Sequence, residues 1–202
     1  MIVIVDYGVG NLRSVENMAR RAGLTCKISS DPDELKEADK IILPGVGNFG
    51  HGMDMLKSTG LRGPLDWFAL EAKRPVLGIC LGAQIIGKGS EEAEGSQGLG
   101  WVDMICKKFP KADGYAVPRT GWGQIEITRP CPLFPASGPD DRYYFVHSYH
   151  MVCADRADVV AETEHSLRYA CVVNRDNIYG TQFHPEKSHR FGLALIRAFG
   201  GL

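Results

Sequence analysis

The sequence predicts an α/β fold: a three-layer, doubly wound and mainly parallel sheet, with an added antiparallel region in its second half. Three observations carry this reading. Uninterrupted apolar runs bounded by Gly, Pro or Asp recur at Ile2–Val5, Lys40–Leu43 and Pro75–Ile79, and such runs suit parallel strands covered on both faces. Stretches with helical spacing separate them, the alternation that builds βαβ units. The later chain changes character. Short strand candidates at Trp122–Thr128, Arg142–Val146, Val159–Glu162, Tyr169–Asn174 and Asn177–Gln182 follow one another across short polar turns, with Arg175-Asp176 as a hairpin turn. A final amphipathic segment, His189–Phe199, repeats Phe191, Leu195 and Phe199 at i, i+4 and closes the chain as a helix. The Gly- and Glu-rich stretch from Gly87 to Gly100 reads as a surface loop after a helix, not a linker. One domain over residues 1–202 is the expectation for a chain of this length.

Composition narrows the function classes. With 44% hydrophobic and 23% charged residues the chain can build an ordinary core. A net charge of -1 gives no electrostatic preference for nucleic acid or anionic lipid, so neither partner is expected. The start, Met1-Ile2-Val3-Ile4-Val5-Asp6, is too short to span a bilayer and lacks the basic flank of a signal peptide, which points to a cytoplasmic protein. Six cysteines, widely spaced and without a C-x-x-C pair, fit a reducing compartment and no zinc knuckle.

One cysteine stands apart. Cys80 ends an apolar strand with Gly78 two residues before it and Gly82 two after, the G-x-C-x-G form of a nucleophile elbow. A tight strand-to-helix turn strains the nucleophile's backbone and crowds its neighbours, so the flanking residues must be small. The helix that follows should set its N-terminal N–H groups beside the sulfur, lowering the thiol pKa and helping to hold an oxyanion. A buried cysteine is more often packing than chemistry. That plainer description suits Cys26, Cys106, Cys131, Cys153 and Cys171, which have no such setting.

A thiol nucleophile needs a base, and the base needs a group that fixes its tautomer. Among six histidines, His184 is singled out by Gln182-Phe183-His184-Pro185-Glu186-Lys187-Ser188. Pro185 favours extended backbone at His184, and in an extended segment His184 and Glu186 project to the same side. His51, His165 and His189 read as structural or solvated. His147 is a candidate supporting residue; with His150 it lacks a third ligand at metal-binding spacing, so no metal site is predicted and no cofactor is expected. The third element is Leu43-Pro44-Gly45-Val46-Gly47-Asn48, a glycine-rich loop after a buried strand, whose backbone amides can face a developing negative charge. It lacks the G-K-[ST] of a phosphate-binding loop.

Together, P-G-V-G at 44–47, G-I-C-L-G-x-Q at 78–84 and Q-F-H-P-E-K-S at 182–188 resemble the class I (triad) glutamine amidotransferases, whose fold is flavodoxin-like. The likeness runs from Asp6-Tyr7-Gly8-Val9-Gly10-Asn11 to the final helix. Within the class, Y-F-V-H-S-Y at 144–149 and H-P-E-K-S look like the glutaminase subunit of imidazole glycerol phosphate synthase, an enzyme of histidine biosynthesis. The resemblance implies a glutaminase in which Cys80 attacks L-glutamine, His184 moves protons and Glu186 orients it. It further implies that Gly45, Val46 and Gly47 with Leu81 line the oxyanion and glutamine site, that Gln84 helps hold the glutamine, and that ammonia passes to a (β/α)8-barrel synthase/cyclase subunit in a heterodimer. Trp122, Tyr144 and Lys187 match positions at that family's subunit interface. One departure stands out: where the family usually carries a histidine two residues before G-W-N, this chain reads Arg119-Thr120-Gly121-Trp122-Gly123. That change leaves open a paralogous amidotransferase supplying ammonia for amidino-sugars of surface polysaccharides. Another cysteine hydrolase of the same superfamily, or a module that has lost its chemistry, are the remaining alternatives.

Overall fold

The computed structural model describes residues 1–202 except 136, 137 and 139. The first half alternates strands and helices: β1 Ile2–Val5, α1 Leu12–Arg21, β2 Cys26–Ser29, α2 Pro32–Glu37, β3 Lys40–Gly45, α3 Phe49–Ser58, α4 Arg62–Asp66, β4 Val76–Cys80 and α5 Leu81–Ile85. Then come β5 Gly89–Ser90, β6 Met104–Lys108, β7 Arg119–Gln124, β8 Glu126–Ile127, β9 Arg142–His147, β10 Tyr149–Cys153, β11 Val159–Glu164, β12 Arg168–Arg175, β13 Ile178–Thr181 and α6 His189–Gly200.

The main sheet runs β2-β1-β3-β4-β13-β12-β10-β6-β5, with β11 on β12 and β8 on β11. The pairs β2–β1, β1–β3, β3–β4 and β4–β13 are parallel, whereas β13–β12, β12–β10 and β10–β6 are antiparallel. A parallel core extended by an antiparallel region is therefore what the chain builds. Side chains along the central strands alternate between two apolar cores, because successive strand residues point to opposite faces. Val3, Val5, Ile41, Leu43 and Val76 pack on one face with Leu35, Phe49, Leu56, Leu65 and Phe68. Ile2, Ile4, Ile42, Leu77 and Ile79 pack on the other with Val15, Met18, Leu195, Ile196 and Phe199. Helices α2, α3 and α4 thus cover one face, and α1 and α6 the other. Helix starts follow local chemistry: Asn48 accepts from His51 N at 3.1 Å to cap α3, and Asp31 with Pro32 opens α2.

Several boundaries differ from the sequence reading. Trp122–Thr128 is not one strand: it belongs to β7, which pairs with β9 in a separate two-stranded sheet, and to β8, which joins the main sheet. The Gly87–Gly100 stretch is not simply a loop, since β5 lies within it and pairs in parallel with β6. The hairpin turn sits one residue later than predicted. Arg175 pairs with Ile178, so Asp176-Asn177 turn the chain, and Asp176 takes the left-handed φ of 51° that a two-residue hairpin demands. Strands β2, β6 and β10 were not predicted; each mixes polar with apolar residues or carries only partial burial, which hides it from an apolar-run criterion.

Candidate active site

Strand β4 ends at Cys80, whose φ of 54° and ψ of -107° are an uncommon conformation for a residue with a side chain. Space explains the glycines beside it. A Cβ at Gly82 would stand 1.7 Å from Leu43 O, and one at Gly78 would stand 2.7 Å from Gly82 O. The turn that lifts the sulfur out of the strand therefore exists only with glycine at both places. The helix after it has five residues, Leu81–Ile85, so its dipole is small. Gln182 Nε2 lies 3.9 Å from Cys80 Sγ, and the thiol points toward Val146 O at 4.0 Å.

His184 keeps the extended backbone its proline predicts, at φ -99° and ψ 97°. Glu186 does not continue that extension. Pro185 instead starts a 3-10 turn, Pro185–Lys187, because its fixed φ suits the first residue of a helical turn. The two side chains meet nonetheless, His184 Nδ1 to Glu186 Oε1 at 2.7 Å, with side-chain exposures of only 2% and 3%. Burial opposes a charge on the ring, but the neighbouring Cys80 sulfur and the Glu186 carboxylate outweigh it and hold the His184 pKa up at about 10. Nε2 is buried and has no hydrogen-bond partner among the described residues. Backbone clamps fix the ring's origin: His184 N donates to Tyr144 O at 2.9 Å, and Ser188 Oγ donates to His184 O at 2.6 Å while accepting from Tyr144 N at 3.0 Å.

Cys80 and His184 open together into a pocket of about 340 Å³ whose walls include Val46, Gly47, Leu81, Gln84, His147 and Tyr149. A larger groove of about 570 Å³, lined by Glu126, Glu162 and Arg168 among others, has neither cysteine nor histidine in its lining, so volume alone is a poor guide here. Of the predicted oxyanion residues, Val46 and Gly47 reach the pocket and Gly45 does not line it. Gly45 pairs with Cys80 across β3 and β4, and a Cβ there would lie 2.6 Å from Tyr7 OH and 2.9 Å from Gly82 N, so its smallness serves packing behind the elbow. Gln84 donates to Tyr149 O and to Gln182 Oε1, both at 3.1 Å, leaving its carbonyl oxygen for a ligand.

The family model for glutamine amidotransferase class-I matches residues 3–199. This chain belongs to the class-I glutamine amidotransferase family. It is 43% identical over 199 residues to "Imidazole glycerol phosphate synthase subunit HisH 2" of Pseudomonas aeruginosa, covering 98% of both chains. It is 43% identical over 205 residues to "Imidazole glycerol phosphate synthase subunit HisH" of Leptospira borgpetersenii, covering 100% of both. In fold it resembles PurLQS from Thermotoga maritima with a TM-score of 0.77 at 18% identity, covering 98% of this chain and 96% of that one.

In this class-I amidotransferase the three residues assigned to an interface form one surface patch beside the pocket. Trp122, 45% exposed, stacks on His189 at 5.4 Å and meets Tyr144 edge-on at 6.1 Å; Lys187 Nζ lies 5.8 Å from the Tyr144 ring centre. Three further side chains bear on the site, and the sequence gives none of them a role. Gln182 stands in the motif that singles out His184, with no role of its own read from it. Glu92, from the stretch read as a loop, lines the pocket and accepts from Phe49 N at 2.8 Å. Tyr7, wholly buried, has an unpartnered hydroxyl; burial first, then the charge of Cys80, raises its pKa above the usual phenol range. His147 is buried, its pKa pushed down to about 3 by desolvation, and bonded at both ring nitrogens. All six cysteines are free thiols, no metal-binding group of His, Cys, Asp and Glu occurs among the described residues, and no described helix is long and apolar enough to cross a membrane.

Proposed function

We propose that this chain is a one-domain, cytoplasmic glutaminase subunit that splits L-glutamine at Cys80 and passes ammonia to a (β/α)8-barrel synthase/cyclase subunit, for imidazole glycerol phosphate formation in histidine biosynthesis. The observation that carries it is the strained Cys80 facing a buried His184–Glu186 pair inside one small pocket. The Cys80 sulfur attacks the carboxamide carbon, and the carbonyl oxygen gains the charge. The backbone amides of Leu81 and of the Val46-Gly47 segment, which line the pocket, would receive it. The protonated His184 gives its proton to the leaving nitrogen, so that ammonia departs and a glutamyl thioester remains. Water then attacks the thioester, His184 takes its proton, and glutamate leaves with the sulfur restored. Throughout, Glu186 holds the ring through Nδ1 and offsets its positive charge.

Ammonia released into water would be protonated and lose its nucleophilicity, which is why a partner that takes it directly fits this site. Trp122, Tyr144 and Lys187 are the contact residues assigned to that partner. The relatives' names favour the histidine-pathway acceptor over an amidino-sugar pathway. Glutamate release by the chain together with its synthase subunit, for wild type and Cys80→Ala, tests the reading; equal turnover in both refutes it.

A further inference from the structure

We propose that Arg119 is a positioning residue of the glutamine pocket, its guanidinium occupying the space of a side chain at position 123 and holding, through Tyr169 and His147, the Tyr149 carbonyl. The inference rests on the glutaminase reading of that pocket. It begins with an oddity of burial. Arg119 is 6% exposed, and its hydrogen bonds run to neutral oxygens, Tyr169 OH and Thr163 Oγ1, the latter at 3.4 Å. Its guanidinium carbon lies 3.9 Å from the centre of the Phe145 ring. A buried cation with no carboxylate paired to it among the described residues is costly, and the aromatic face offsets only part of that cost. Such an arrangement persists where the groups around it need the donor.

The donor's effect can be followed atom by atom. Arg119 Nη1 donates to Tyr169 OH. The hydroxyl then donates to His147 Nε2 at 3.1 Å. This direction is fixed at the far side of the ring, where Nδ1 lies 2.8 Å from Tyr149 O and must carry the proton, since a carbonyl only accepts. The same carbonyl accepts from Gln84 Nε2, Gln84 donates also to Gln182 Oε1, and Gln182 Nε2 faces Cys80 Sγ. His147, Tyr149 and Gln84 all line the pocket. A polar chain thus runs unbroken from β7, the strand that exposes Trp122, to the sulfur.

A Cβ at Gly123 would lie 1.9 Å from Arg119 Nη2 and 3.2 Å from a Phe145 ring carbon. The two departures in Arg119-Thr120-Gly121-Trp122-Gly123 are therefore one change: the guanidinium needs the glycine. The test compares two electrophiles on Cys80 of the full chain. Iodoacetamide needs only the sulfur, whereas a diazoketone analogue of glutamine needs the pocket walls as well. Arg119→Gln and Gly123→Ala are each expected to lower the ratio of analogue to iodoacetamide alkylation rates by roughly two- to tenfold, the range for one lost hydrogen bond. Gly123→Ala is expected to add nothing in an Arg119→Gln background. A merely structural role would slow both reagents together and leave the ratio unchanged, which overturns the proposal, as would additive effects in the double variant. If Arg119→Gln does not fold, Gly123→Ala alone carries the ratio test. Failure of the analogue to label wild-type Cys80 at all would instead sink the glutaminase reading, and this inference with it.

Discussion

Replacing Glu186 by glutamine is the perturbation that separates the orienting role of this carboxylate from simple packing. The two side chains are nearly isosteric, so the cavity stays filled, but the 2.7 Å hydrogen bond to His184 Nδ1 loses its charge. A charged hydrogen bond contributes about 1.5–3 kcal/mol, and about 1.4 kcal/mol corresponds to one pH unit, so the His184 pKa should fall from about 10 by roughly one to two units. The direction follows from which form acts. In the proposed mechanism the protonated ring delivers the proton to departing ammonia, so activity should fall as pH rises through the His184 pKa, and in Glu186→Gln that alkaline limb should move to lower pH. Stability obeys the same sign. A folded-state pKa above the ordinary 6.5 stabilises the fold fully below 6.5 and ceases to do so as pH climbs through about 10, so the melting-temperature gap between wild type and variant should be wide near pH 7 and narrow toward pH 10. The assay is glutamate release against pH with the synthase subunit present, alongside thermal melts. An alkaline limb that does not move would refute the reasoning, because the carboxylate would then have no hold on the ring's proton.

Four further outcomes are expected. Cys80→Ala and Cys80→Gly should both abolish glutaminase turnover, yet the glycine variant should be the more stable by about 1 kcal/mol in urea unfolding, because only glycine accepts φ 54° without strain. Gly82→Ala places a Cβ 1.7 Å from a backbone oxygen, so it should be destabilised by several kcal/mol or accumulate as insoluble protein, read by solubility and melting temperature. Trp122→Ala should leave the melting temperature within a degree or two and weaken synthase-subunit binding at least about tenfold by calorimetry, the behaviour of an exposed aromatic anchor. Glu162 is held below its ordinary pKa first by the Arg156 hydrogen bond, with Arg168 adding to it. Its stabilisation is present above the ordinary 4.5 and lost as pH falls through the depressed value, so Glu162→Gln should flatten the acid side of the melting-temperature profile.

The parallel half of the fold was legible because burial on both faces leaves a simple mark. Ile2–Val5 and Val76–Cys80 are buried at every residue, so each reads as an unbroken apolar run. Strand β2, at the sheet edge, is only partly covered, and Cys26-Lys27-Ile28-Ser29 carries no such mark. Strand β7 was misread for a different reason: it alternates a buried Arg119 with exposed residues, and its partner is β9 alone, a pairing that no local pattern announces. The site shows the same division. Residues whose identity is forced by covalent geometry were readable, namely the glycines that make room for the elbow and the proline that sets His184. Glu92 reaches the pocket from a stretch distant in sequence from the elbow and the base, and nothing in its own neighbourhood says so.

The Pro185 result sharpens what spacing can and cannot predict. An extended His-x-Glu would carry both side chains outward in parallel, each then exposed on one side to water. Turning at Pro185 instead folds Glu186 back against the ring, and Ser188, at the end of the turn, closes the loop by bonding both His184 O and Tyr144 N. The backbone that aims the base is thereby the same backbone that carries Tyr144 and Lys187 into the exposed patch with Trp122. A shift of β9 or of this turn by a few tenths of an ångström would move His184 relative to a sulfur that the strained elbow holds fixed. On the proposed reading, docking at the patch and proton transfer at the thiol would share one short, hydrogen-bonded piece of chain, so a partner pressing on Tyr144 would act on the base without any longer route.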